Sequence, residues 1–182
     1  MPNWASVSYV IEGPEETLQK IQNAVEEHTV VDGAPDDWEG NVCVTLGIDE
    51  KNIEGFSIRG FIQDTFSEGE ILRIYADEAW SRTEFAEILQ DLFPDELTIY
   101  WYVEEPGMGI YETNDADGNY FPERYYVEYG DNMEYFNTEK ELFEWLSDIT
   151  ESQINNYDDV EEFNNENPTD PYIYINEIDV IL

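Results

Sequence analysis

Trp4-Ala5-Ser6-Val7-Ser8-Tyr9-Val10-Ile11-Glu12-Gly13-Pro14-Glu15-Glu16 is the stretch on which the fold turns. From Trp4 to Ile11 the pattern is that of a half-buried strand. Gly13-Pro14 ends it, and Pro14 stands at a first helical position, where the missing N–H costs nothing. Glu15 and Glu16 complement the positive end of a helix dipole. Leu18, Ile21 and Val25 supply the inward stripe of a helix reaching about Glu27. A strand leading straight into a helix opens a mixed fold.

The same signals recur outward from this unit. A loop at Asp32-Gly33-Ala34-Pro35-Asp36-Asp37 precedes an expected short strand from Val42 to Leu46, and Phe56 to Ile62 reads as another. Ile71 to Ala76 is a strand. Ser81 with Glu84 forms a capping box for a helix carrying Phe85, Ile88, Leu89 and Leu92. Leu97 to Val103 is again a strand. Glu105-Pro106-Gly107-Met108-Gly109 turns the chain into Ile110 to Thr113, and Asn114-Asp115-Ala116-Asp117-Gly118 is expected to make a hairpin turn into Tyr125 to Tyr129. Thr138 with Glu141 caps a helix bearing Leu142, Trp145, Leu146 and Ile149. Thr150 with Gln153 offers a second start, with Ile154, Tyr157, Val160 and Phe163 on one side. Tyr172 to Leu182 is β-like. This order predicts an α+β protein with a ferredoxin-like core over residues 1–130, its helices on one face of a mostly antiparallel sheet. Residues 131–182 are expected as an acidic C-terminal helical and strand extension packed on that core.

Charge bounds the function. The chain has 44 Asp plus Glu against 7 Lys plus Arg, a formal net charge of −37 over 182 residues. Carboxylates are interleaved with apolar and aromatic residues, so this is a folded anionic surface and not a disordered acidic tract. Spread evenly over roughly 9,000 Å², the net charges would stand about 15 Å apart, beyond the Debye length of about 8 Å. Duplex DNA is denser than that, so imitation of nucleic acid requires carboxylates gathered on one face. After Lys140 no further Lys or Arg occurs, which marks the C-terminal third as the candidate. Direct binding of nucleic acid or an anionic membrane is disfavoured. No basic-then-apolar leader and no long apolar run is present, and one cysteine suits a reducing, cytoplasmic setting.

Few residues suggest catalysis. His28 falls at the expected end of the first helix, where a contact with terminal carbonyls suits it. Cys43, between Val42 and Val44, reads as a small buried hydrophobe. The oxygen-rich Asn114–Asn119 segment resembles the start of a calcium loop but lacks its flanking helices, and a turn is the better reading. Carboxylate pairs are too many to be diagnostic. No cofactor or metal is expected. Tyr100 and Tyr102 share one strand face and Trp101 the other, chiefly as packing. Tyr120, Phe121, Tyr125, Tyr126 and Tyr129 either pack a hairpin or, among acids, receive arginine through ion pairing and cation–π contact.

Three further segments carry a likeness: Phe56-Ser57-Ile58-Arg59-Gly60-Phe61, Ala76-Asp77-Glu78-Ala79-Trp80 and Val103-Glu104-Glu105-Pro106-Gly107. With the opening Met1-Pro2-Asn3-Trp4, they resemble the Api92-like, ferredoxin-like family of phage and mobile-element proteins. The likeness covers about residues 1–130; Ala5 stands where that family usually has cysteine, and its tryptophan-rich middle motif is not clearly present. The resemblance implies a ferredoxin-like core and a mobile-element origin, and no catalytic residues.

Acidity and that likeness together suggest a non-enzymatic protein that inhibits a basic, nucleic-acid-binding defence protein, of restriction or CRISPR type, by DNA mimicry. An immunity-type or accessory protein that binds a basic partner without mimicry is the alternative, and an enzyme the third. The candidate partner-binding residues are Asp158, Asp159, Glu161, Glu162 and Glu166, with Glu104, Glu105 and Asp115 at the turn ends. Asp158, Glu162 and Glu166 recur every four residues, about 6 Å of helix rise per step, close to the phosphate spacing along a strand.

Overall fold

The first strand, β1 (Trp4–Glu12), runs between two neighbours. Ala5, Val7, Tyr9 and Ile11 are buried together in one apolar cluster, as a two-residue period requires. In the computed structural model, which describes residues 3–49, 51, 58–80 and 83–182, the chain divides into two compact units, Met1–Asn114 and Asp115–Leu182. The expected boundary lay at residue 130; the observed division is earlier, so the strand at Tyr125–Tyr129 belongs to the second unit. Among the described residues no helix is long and apolar enough to cross a membrane.

In the first unit, helix α1 (Glu15–Glu26) follows β1, with Pro14 at the N-cap and Leu18 and Ile21 buried. Residues 39–45 form a helix, α2 (Glu39–Thr45), and not the expected strand. The Val-Cys-Val run is too short for its period to decide, and Asn41 decides it instead. Its side chain accepts from the Val31 N–H at 2.9 Å and donates to the Pro35 and Asp36 carbonyls at 2.8 and 3.0 Å. This folds the preceding loop onto the helix start. Strands β2 (Gly60–Glu68) and β3 (Ile71–Ala79) form an antiparallel hairpin. The Phe56–Ser57 part of the expected strand, Ser81 of the expected capping box, and Met1-Pro2 of the family likeness lie outside the described residues. Helix α3 (Glu84–Leu92) has Thr83 at its N-cap without a side-chain cap bond, and buries Phe85, Ile88 and Leu89. β4 (Thr98–Glu105) and β5 (Ile110–Thr113) complete the unit, giving the strand order β2-β3-β1-β4-β5 with every pair antiparallel. Trp101 packs on the core side, opposite Tyr9.

The second unit has its own sheet and core. β6 (Tyr125–Tyr129) lies between β7 (Asn132–Phe136) and β8 (Ile173–Glu177), both antiparallel to it. A two-residue strand, β9 (Asp179–Val180), follows. Since β5 and β6 belong to different sheets, the segment between them is not the hairpin turn expected. Helix α4 (Glu139–Thr150) starts where the sequence indicates, with the Thr138 hydroxyl accepting from the Glu141 N–H. Helix α5 (Tyr157–Glu166) starts later than the Thr150–Gln153 signal, because Asn156 and not Thr150 supplies the cap. Val127, Leu142, Phe143, Leu146, Ile154, Val160, Phe163 and Ile173 form the core. The fold is α+β, with mostly antiparallel sheet.

Candidate functional site

The acids singled out on α5 are placed by its two ends and its buried stripe. Asn156 Oδ1 accepts from the Asp159 N–H at 3.0 Å. The Asp159 carboxylate in turn accepts from the backbone and side-chain nitrogens of Asn155 at 2.7 and 3.0 Å. These bonds hold the Asp159 carboxyl below the usual range, and make it a structural cap, half-buried. Val160 and Phe163 turn inward, which leaves Asp158, Glu161, Glu162 and Glu166 exposed. Asp158, Glu162 and Glu166 therefore form one outward stripe with about 6 Å of rise per step. Like charges at this spacing oppose the helix by about 0.3 kcal/mol per pair, so helix stability does not explain the stripe.

The other three acids do not join it. Glu104 is half-buried and accepts from the Tyr102 hydroxyl at 2.8 Å. Glu105 is only 3% exposed, because as the last residue of β4 it alternates onto the side that Ile99 and Val103 bury. Both belong to the first unit. Asp115, 1% exposed, is the anchor of its loop: its carboxylate accepts from the N–H groups of Tyr120 and Phe121 at 2.6 and 2.9 Å. Burial alone would raise its pKa. Hydrogen bonds from Tyr120, Phe121, Asn119 and Gly118 outweigh that and hold it low. Glu105 and Asp115 are thus corrections to the expected binding surface. Each is spent inside the fold.

The second unit has almost no cation to offset its surface. Residues 115–182 carry 19 Asp and Glu against Arg124 and Lys140. The Arg124 guanidinium donates to the carbonyls of Phe121, Glu123, Asp115 and Ala116 at 2.7–3.3 Å. Lys140 stands 3.6 Å from Glu144, one turn along α4. Glu141, Glu144 and Asp148 are exposed on α4, and Glu144 and Asp148 border, with Phe143, an open depression of about 700 Å³.

The outer face of the small sheet is a part of the surface that the sequence pattern did not reveal. Tyr125, Val127 and Tyr129 turn toward the helices, so Tyr126 and Glu128 turn away. Glu128 lies opposite Met133 on β7 and Tyr174 on β8. Met133, Tyr172 and Tyr174 are 63, 53 and 56% exposed, and the two tyrosine rings lie 4.8 Å apart. The alternation Tyr172-Ile173-Tyr174-Ile175 was the available signal, once β8 is known to have one covered face.

A second missed feature lies in the first unit. Glu39 and Glu78 are buried and hydrogen-bonded to each other, and the Tyr9 hydroxyl donates to Glu78. A Cβ on Gly60 would overlap the Glu39 carboxyl, so only glycine allows the carboxyl there. Burial, followed by the neighbouring acids, pushes Glu39 well up; burial raises Glu78 to about 8. The two share a proton as a unit. Cys43, nearby, is raised to about 12 by burial and by Glu39, and is inert. Nothing in the sequence distinguished these two among 44 acids.

His28 Nδ1 lies 2.9 Å from the Val25 carbonyl, the helix-end contact expected of it. Among the described residues no three His, Cys, Asp or Glu side chains gather as a metal-holding group. No family model matches the chain, and neither a curated protein nor a solved structure is detectably similar to it.

Proposed function

We propose that this protein acts by binding a basic protein, and that its second unit stands in for nucleic acid on a DNA-binding defence or regulatory protein. The observation that carries the reading is the exposed stripe Asp158, Glu162 and Glu166, set in a unit whose two cations are already engaged. Carboxylates at phosphate-like intervals attract a site built for a polyanion, speed encounter, and lose their hold as salt rises. A cytoplasmic setting, where such partners and reduced thiols occur, fits the single buried Cys43.

The same proposal includes a ferredoxin-like core of mobile-element type for the first unit. It is supported by the succession β1-α1-α2-β2-β3-α3-β4, which is a β-α-β-β-α-β order with α2 inserted after α1, and by the strand order β2-β3-β1-β4. Catalysis is not part of the reading, since the perturbed carboxyls Glu39 and Glu78 are buried.

The test is capture from bacterial lysate on the immobilised full chain, at low and high salt, with duplex DNA as competitor. Retention of a DNA-binding protein that either salt or duplex releases is the expected result. Retention of one protein that duplex DNA fails to displace would favour an immunity-type interaction instead.

A further inference from the structure

The acid stripe attracts any cation, whereas the outer face of the small sheet distinguishes among cations. On β6, Glu128 sits between Met133 and Tyr174 on the neighbouring strands, and Tyr172 stacks beside Tyr174 with ring centroids 4.8 Å apart and planes inclined at 44°. Cross-strand partners on one sheet face stand about 5 Å apart. A planar group laid on the Tyr174 ring is thereby within reach of the Glu128 carboxylate. Three of these four side chains are more than half exposed.

We infer that this face is a docking surface for arginine-bearing segments of a protein partner, which it selects over lysine. The inference rests on the proposed attraction to a basic partner and adds to it the side chain that is read. A guanidinium is flat, weakly hydrated and forked, so it stacks on a phenol ring while donating two parallel hydrogen bonds to a carboxylate. A lysine ammonium is compact and strongly hydrated, and gains less from the ring. Charge complementarity fixes the occupant. Residues 115–182 carry 19 acids and two engaged cations, so a second copy of the chain would bring like charge onto this face. Lipid and nucleic acid would be repelled for the same reason.

The measurement uses the full chain with fluorescent octa-arginine and octa-lysine at near-physiological salt, read by anisotropy. The native chain should bind octa-arginine about tenfold more tightly than octa-lysine, in line with two aromatic–guanidinium contacts. Tyr172→Ala with Tyr174→Ala should remove that preference and leave octa-lysine affinity unchanged. Tyr172→Phe with Tyr174→Phe, which keeps both rings, should restore it. Glu128→Gln should weaken octa-arginine a few-fold. Equal affinity of the native chain for both peptides, or an arginine preference that survives the double alanine variant, overturns the docking surface while leaving the charge reading intact. Failure of both peptides to bind removes the charge reading and this inference together. Sedimentation showing a dimer that the double alanine variant abolishes would assign the face to a second copy and overturn it as well.

Discussion

The two units of this chain treat carboxylates in opposite ways. The first takes Glu39 and Glu78 into its core, where they remain together by retaining a proton and accepting a hydrogen bond from the Tyr9 hydroxyl. The second leaves most of its acids in water and commits Asp115 and Asp159, fully ionised, to backbone N–H groups. Buried carboxyls are a local packing problem solved by Gly60. Exposed ones act outward. Per residue the second unit is the more anionic, with 19 acids against two cations over residues 115–182, where residues 1–114 have 25 against five.

The sharpest way to break this contrast is Gly60→Ala. The added methyl must displace the Glu39 carboxyl from its bond with Glu78, and a broken buried charge-assisted hydrogen bond together with overpacking costs about 4 kcal/mol. Denaturant unfolding should show that loss in the first unit. Its counterpart is Leu146→Ala, at a fully buried position of the second core, with an expected loss of about 3 kcal/mol. Residue-resolved hydrogen exchange should place each loss in its own unit. A loss spread evenly over both would deny that the units are distinct.

Acidity separates the units by sign. Glu78 in the folded chain holds its proton to about 8, whereas an unfolded carboxyl ionises near ~4.3. Between those values the unfolded state binds fewer protons, so the first unit loses stability as pH rises. The slope approaches about 1.4 kcal/mol per pH unit for one such group. Glu39, raised chiefly by burial, adds to this slope, so Glu78→Gln should reduce it without abolishing it and make the chain more stable at alkaline pH. Asp115 and Asp159 are held low, so their contribution is present at neutral pH and is lost as pH falls through their folded pKa values. Hydrogen exchange followed from acid to alkaline pH should show the two units changing in opposite directions. The smallest effect belongs to Asn156→Ala, which removes the α5 cap and should cost about 1 kcal/mol. It should fray the start of the acid stripe without reaching the first unit, as exchange at Asp158 and Asp159 would report.

What could be read in advance follows the same division between local and tertiary causes. β1, α1, β4 and α4 announce themselves because their signals are local: alternation, proline, acidic first turns and the Thr138 cap. α2 does not, since Asn41 fixes it by bonds to residues five to ten positions away. β7 escapes for a different reason. Asn132, Met133, Glu134 and Tyr135 are all exposed, so an edge strand with no covered face carries no alternation to detect. At the site, the stripe Asp158, Glu162 and Glu166 was legible because helical spacing is a property of sequence. The burial of Glu105 was not, because β4 runs two residues past the expected end at Val103, and that of Asp115 was not, because it depends on bonds to Tyr120 and Phe121.

On the proposed reading, the α5 stripe takes the place of phosphates. The most direct measurement is displacement of a fluorescent duplex from a histone-like DNA-binding protein by the native chain and by Asp158→Asn with Glu162→Gln and Glu166→Gln. The native chain should release the duplex at about 50 mM salt and do so at least tenfold less well at about 200 mM; the triple variant should need about tenfold more protein at low salt. Equal displacement by the native chain and the triple variant, or displacement indifferent to salt, would contradict it.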